Sequence, residues 1–159
     1  MILHNEALDR LPPQNIEAEQ CVLGSMLLDR EMIGEVLLLI DAEDFYMPGH
    51  AECFRVLSGL YDRNEPVDLV LVTNDLSSRG RLEAVGGVEF LVGLMESVPN
   101  AAHALAYARL VRDTSERRRL MGVATEILRD AQDGSQRDVS ELLDSAEQKI
   151  FAIAHGRGQ

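Results

Sequence analysis

Tryptophan is absent from this chain, and aromatic residues make up only 4% of it. A surface that stacks nucleobases needs successive aromatic faces, so no stacking platform for single-stranded nucleic acid is expected. Lysine is almost absent too. Lys149 is the one example, and no G-x-x-x-x-G-K-[ST] segment surrounds it. A phosphate loop needs that lysine beside glycine-rich backbone that closes around phosphates. The chain is therefore expected neither to bind nor to hydrolyse ATP. Its two cysteines, Cys21 and Cys53, fall in helical patterns among apolar residues and read as buried, reduced thiols. The longest apolar run, Val36–Ile40, is far shorter than the roughly 20 residues of a membrane span. Met1–Arg10 lacks the basic start and long apolar core of a signal peptide. No membrane contact is expected, and the expected location is the cytoplasm. Positive charge is scarce, with 15 basic residues against 27 acidic and a net charge of -12. That balance argues against gripping a phosphate backbone and suits encounters with basic partner surfaces.

What is present is helical periodicity. The stretch Ala101–Ala154 reads as two long helices joined by one turn. The first spans about Ala101–Asp133. The break is Asp133-Gly134-Ser135-Gln136, where Gly134 can take the left-handed conformation that closes a helix. Asp138 can cap the second helix, and Glu141 three residues on completes a capping-box pattern. Its apolar residues, Val139, Leu142, Leu143, Ala146, Ile150, Ile153 and Ala154, form one stripe at about 100° per residue. Phe151 is off that stripe and reads as an interface anchor. On the first helix Leu120, Met121, Ala124, Ile127, Leu128 and Ala131 form another stripe, while Ala101, Ala104, Leu105, Ala108 and Val111 face roughly the other way. The first half should pack on what precedes it, the second on its partner helix. A two-helix hairpin buries too little to stand alone in water, and a second copy is the simplest cover. The small residues Ala124, Ala131 and Ala146 would permit close approach.

The preceding chain reads as a head of about five helices. Residues 1–14 form a flexible arm, 15–98 the head, 99–155 the hairpin, and 156–159 the start of a linker or a cut end. Asn15 should cap a helix running to about Leu28, with Ala18, Val22, Leu23, Met26 and Leu27 among its apolar residues. Further helices are expected over about Glu31–Ile40, His50–Arg63 and Val88–Ser97. Val67–Val72 is β-branched, but Asp68 is a good N-cap and no strand partner exists, so helix is expected there too. Leu82–Gly87 reads as a turn, and Phe45 and Tyr46 as core plugs. The fold class is all-α.

Leu11-Pro12-Pro13-Gln14-Asn15-Ile16-Glu17-Ala18-Glu19-Gln20-Cys21-Val22-Leu23-Gly24 resembles the opening of bacterial replicative DNA helicases of the DnaB family. Asp44-Phe45-Tyr46, Pro48-Gly49-His50, Pro66-Val67-Asp68-Leu69 and Val85-Gly86-Gly87 look like that family's later landmarks, in order. The resemblance covers about residues 11–154 and implies an N-terminal domain built as a helical head plus a helical hairpin. It implies that six copies form a collar on the hexameric ring, as a trimer of dimers, with hairpins pairing between subunits. It implies that the C-terminal domain of primase docks on this collar. ATP and magnesium would belong to a separate motor domain, leaving no cofactor for this chain. The dimer interface would comprise Leu120, Met121, Ala124, Ile127, Leu128, Ala131, Leu142, Leu143, Ala146, Ile150, Phe151 and Ile153.

The alternative is a stand-alone helical enzyme or metal protein. His50 and Cys53 form an H-x-x-C pair, but no second pair lies at usable spacing; they read as a capping histidine and a core thiol. Asp41, Glu43 and Asp44 could imitate a catalytic carboxylate pair and read instead as a solvated loop and helix-end charges. Ser25 follows Gly24 without the G-x-S-x-G frame of a hydrolase nucleophile. Arg109, Arg112, Arg117, Arg118 and Arg119 are the one basic concentration and are read as ion-pairing, so any DNA contact would be weak and salt-sensitive. Calorimetric titration of the chain with ATP and magnesium should give no saturable heat, and micromolar binding would overturn that expectation.

Overall fold

The computed structural model describes residues 11–133 and 138–156. Among them the chain forms eight α-helices, two 3-10 turns and no strand. The helices are α1 (Ile16–Leu28), α2 (Arg30–Leu37), α3 (Pro48–Asp62), α4 (Leu69–Ser78), α5 (Leu82–Val85), α6 (Gly87–Ser97), α7 (Ala104–Gln132) and α8 (Val139–His155). Two compact units result. One is Gln14–Ser115, and the other combines residues 116–133 and 138–156 with residues 11–13. Residues 1–10 of the arm expected over 1–14, and the Gly134 helix stop, lie outside the described residues.

Short polar side chains set the helix starts by accepting from amides that the first turn leaves unpaired. Asn15 Oδ1 accepts from Ala18 N at 2.9 Å. Asp29 closes α1 and caps α2, accepting from Glu31 N at 3.1 Å. Asp68 accepts from Leu71 N at 2.8 Å, so the β-branched stretch begins a helix, as its N-cap implies. Asp138 accepts from Glu141 N at 2.9 Å and starts α8. The expected turn at Leu82–Gly87 is instead the one-turn helix α5, followed by Gly86 at φ 122° and Gly87 at φ 76°. Side chains rarely adopt those backbone angles, and glycine does so without steric cost.

In the Gln14–Ser115 unit α1 is central, packing on α2, α3 and α6. Residues 21–27 of α1 are buried all round. Gly24 permits the closest approach, because a Cβ there would run into the Leu94 carbonyl and the Val98 side chain of the α6 segment. Val22, Leu23 and Met26 meet Ile33, Val36, Val56, Leu57, Val72, Leu76 and Leu91 in one core. Phe45 does plug it, with its ring centroid 4.9 Å from that of Phe54, while Tyr46 is half-buried.

The loop between α2 and α3 is held by two buried carboxylates. Glu19 accepts from Tyr46 N at 2.7 Å, Met47 N at 3.3 Å and His50 Nδ1 at 2.7 Å. Asp44 accepts from Asp41 N at 2.8 Å, while Asp41 accepts from Glu43 N at 3.0 Å. These bonds belong to a reciprocal capping box around the 3-10 turn Ala42–Asp44. The other oxygen of Asp44 accepts from Ser115 Oγ at 2.6 Å. The reading of Asp41, Glu43 and Asp44 as solvated charges is thus corrected for Asp44, which is fully buried. Ala104, Ala108, Val111 and Ser115 of α7 are buried as well, so this unit extends to Ser115 where the sequence suggested an end at residue 98. Their spacing of four, three and four puts small side chains on one face. Leu23→Ala should lower stability by about 2–5 kcal/mol in urea titrations followed by circular dichroism; an unchanged midpoint would remove Leu23 from the core.

Candidate assembly interface

The chemical candidates are committed to structural bonds. The His50 ring is buried against Phe90 at 5.6 Å and bonded to Glu19. It is not a helix cap: Met47 holds that position in α3, with no side-chain cap bond. Cys53 is fully enclosed, and burial pushes its thiol up to about 12. Metals bind the thiolate, so this environment opposes ligation. Cys21 is also buried and free, and burial raises its thiol with a further contribution from Glu17. Among the described residues no three His, Cys, Asp or Glu side chains gather to hold a metal. Ser25 Oγ donates to the Cys21 carbonyl at 2.7 Å, inside its own helix. Arg118 donates to the Pro13 carbonyl at 2.7 Å, and Arg112, Arg117 and Arg119 also have partners within the chain.

The unsatisfied surface is on the hairpin of α7 and α8. Its inner seam is half-buried and formed by Arg119, Val123, Ile127 and Asp130 on α7 with Leu142, Ala146, Lys149 and Ile153 on α8. Lys149 Nζ reaches Glu126 at 3.2 Å and Asp130 at 3.1 Å. Hydrogen bonds to Asp130 and then Glu126 hold its ammonium above the ordinary lysine range. No described residue of α8 is fully buried.

The structure splits each expected stripe in two. Ile127, Leu142, Ala146 and Ile153 turn into the seam, joined by Val123, which the stripe reading left out. Val123, Ile127 and Asp130 do recur at helical spacing, but Leu120, Ala124 and Leu128 beside them form an unbroken apolar set that dominates the pattern. Leu120, Ala124, Leu128 and Ala131 on α7, and Val139, Leu143, Ile150 and Ala154 on α8, remain exposed. At 100° per residue they lie roughly 90° around from the seam. The rotation has the same sense about both axes, and the arms are antiparallel, so both flanks face one side of the hairpin. Leu120 is 51% exposed, Leu128 50%, Val139 69%, Leu143 59% and Ile150 47%. Met121 lies toward the far edge of the α7 flank. Phe151 points roughly opposite to the seam, its ring 4.1 Å from that of His155. Fully burying one such aliphatic side chain contributes about 1.5–3 kcal/mol. A single copy leaves much of that contribution unrealised along this face.

The family model for the DnaB-like helicase N terminal domain matches residues 11–113. The replicative DNA helicase DnaB of Geobacillus stearothermophilus is 43% identical over 148 residues, covering 92% of this chain and 32% of the relative. The chain thus spans about a third of that relative's length. Its fold is similar to the crystal structure of the N-terminal domain of DnaB helicase from Mycobacterium tuberculosis, with a TM-score of 0.83 and 39% identity over 89% of this chain and 99% of that one. It also resembles, in fold, a DnaB-like replicative helicase studied with its interactions with primase, with a TM-score of 0.71 at 22% identity over 87% of this chain and 31% of that one. With the family model matching most of the all-helical head and the relatives covering nine-tenths of the chain, the chain belongs to the DnaB-like helicase N-terminal domain family.

Proposed function

We propose that this chain is the N-terminal collar domain of a hexameric replicative DNA helicase, that it dimerises through its hairpin, and that it offers primase a docking surface. The observation that carries the reading is the exposed apolar face shared by α7 and α8. Two copies related by a two-fold axis cover it with a single self-complementary patch, giving a four-helix arrangement. Leu120, Leu128, Leu143 and Ile150 are its centre, Ala124 and Ala131 let the copies approach, and Met121 and Phe151 lie toward its margins. A trimer of such dimers closes a collar of six copies with three-fold symmetry.

The chain itself performs no chemistry in this reading. Its relatives are replicative DNA helicases about three times its length, and in this reading ATP and magnesium are handled outside this chain. Primase docking is supported by the DnaB-like helicase whose structure was studied with primase. The acidic balance adds to it, because a net charge of -12 speeds encounter with a basic partner surface. DNA contact is weak and indirect by the same charge. No helix among the described residues is long and apolar enough to cross a membrane. The rival reading as a stand-alone enzyme or metal protein draws on His50, Cys53 and Asp44, and each is already committed to the core.

Leu143→Asp with Ile150→Asp tests the interface. Both side chains are largely exposed in a single copy, so the variant should fold, with unchanged helicity by circular dichroism. A two-fold dimer would bury four added carboxylates without local partners. Light scattering should therefore report a monomer. A dimer of unchanged affinity would show that the hairpin is not the interface. The C-terminal domain of primase should be retained by the immobilised wild-type chain in a pull-down; failure with a chain shown to be oligomeric would count against the docking role.

A further inference from the structure

We infer that the groove between α4 and the start of α6 docks a basic amphipathic helix of a protein partner. The groove belongs to the head and uses no residue of the hairpin. Val70, Thr73, Asn74 and Ser77 of α4 form one wall, with Leu82 of α5 and Val88 of α6 across from them, and its volume is about 410 Å³. The helix α4 has two faces. Val72 and Leu76 turn into the core. Val70, Thr73, Asn74 and Ser77 recur at spacings of three, one and three, which puts them together on roughly the opposite side. No element covers that side: Val70 is 74% exposed, and Val88 across the groove is 41% exposed. Thr73 presents carbon there, because its Oγ1 is enclosed.

In a chain that is 26% charged, none of these six positions carries a charge. A centre depleted of charge, with charge kept to the margin, is the composition of a protein–protein contact. From Val70 to Ser77 the wall runs about 10 Å, two helical turns, which suits the apolar ridge of one helix laid in the groove. The margin decides the sign of the partner. Glu83 follows Leu82 and Glu89 follows Val88; both are exposed, and no ion pair among the described residues engages them. Arg79 and Arg81 are turned instead to Asp75 at 3.0 Å and to Glu52 at 3.4 Å. The uncompensated charge beside the groove is therefore negative. A second copy, with its net charge of -12, matches that margin poorly. A helix with lysine or arginine beside its apolar ridge complements both the margin and the centre.

A display library of randomised helical peptides is the probe, selected on the immobilised chain. Enriched peptides should carry leucine, isoleucine or valine at helical spacing, with lysine or arginine beside them. Val70→Asp with Val88→Asp changes two exposed side chains, so helicity by circular dichroism should be unchanged. Binding of the enriched peptides to that variant should be weaker by about tenfold or more, because unpaired carboxylates would enter the contact. It should also weaken with added salt, and in Glu83→Gln with Glu89→Gln. It should persist in Leu143→Asp with Ile150→Asp, which separates this site from the hairpin reading. The inference is overturned if no peptide is enriched, if the enriched peptides are acidic, or if they bind the Val70→Asp/Val88→Asp chain as tightly as the original. Methyl resonances of Val70 and Val88 that shift on dilution of the chain alone would assign the groove to a second copy and overturn it as well.

Discussion

A carboxylate withdrawn from water is costly unless hydrogen bonds replace the lost solvent, and the head of this protein is built around two of them. Glu19 sits on the central helix and takes its bonds from the backbone at Tyr46 and Met47 and from His50. Asp44 takes its bonds from Asp41 and from Ser115 on α7. Together they tie α1, the α2–α3 loop and the first part of α7 into a single set of bonds. The loop backbone needs these acceptors, because its amides belong to no helix ladder. Removing either carboxylate would leave buried donors without partners, and the packing of Phe45 on Phe54 depends on the same loop path. The polar network therefore specifies geometry that aliphatic packing leaves open.

Local features were legible in the sequence, and features formed at long range were not. Asn15, Asp68 and Asp138 cap helices because their role involves only residues three positions away. The burial of Leu23 and Met26 followed from helical periodicity. Asp44 was misread because its second partner, Ser115, is 71 residues away, and an acidic loop ordinarily belongs to solvent. His50 was misread for the same reason, since Glu19 lies 31 residues before it. The helix α5 was missed because one turn carries too little periodicity to register. On the hairpin, composition located the apolar residues but not their division. A stripe wide enough for two neighbours reads as one stripe until the position of the first neighbour is known.

That division leaves the hairpin with an apolar face that its own two arms do not cover. The second part of α7 puts Val123 and Ile127 toward α8, and turns Leu120, Ala124 and Leu128 aside. Had the larger leucines taken the seam, the arms would have buried more within the chain and kept less for a partner. Instead the seam is narrow, partly polar and half-exposed, and the exposed flank carries the larger aliphatic surface. Burial scales with the apolar area removed from water, so in the proposed two-fold dimer the larger share of the hydrophobic contribution would fall on association rather than on closing the hairpin. A two-fold contact uses the patch on both copies at once and leaves it closed to a third. Any assembly larger than a dimer must then use a different surface, and the flank alone cannot drive open-ended growth. The head differs in having an enclosed core: Leu23, Leu57, Leu76 and Leu91 are fully buried within it, and Glu19 and Asp44 tie its loop. One unbroken helix, α7, takes part in both solutions, lining the head with alanine and serine before Glu116 and presenting leucine beyond it.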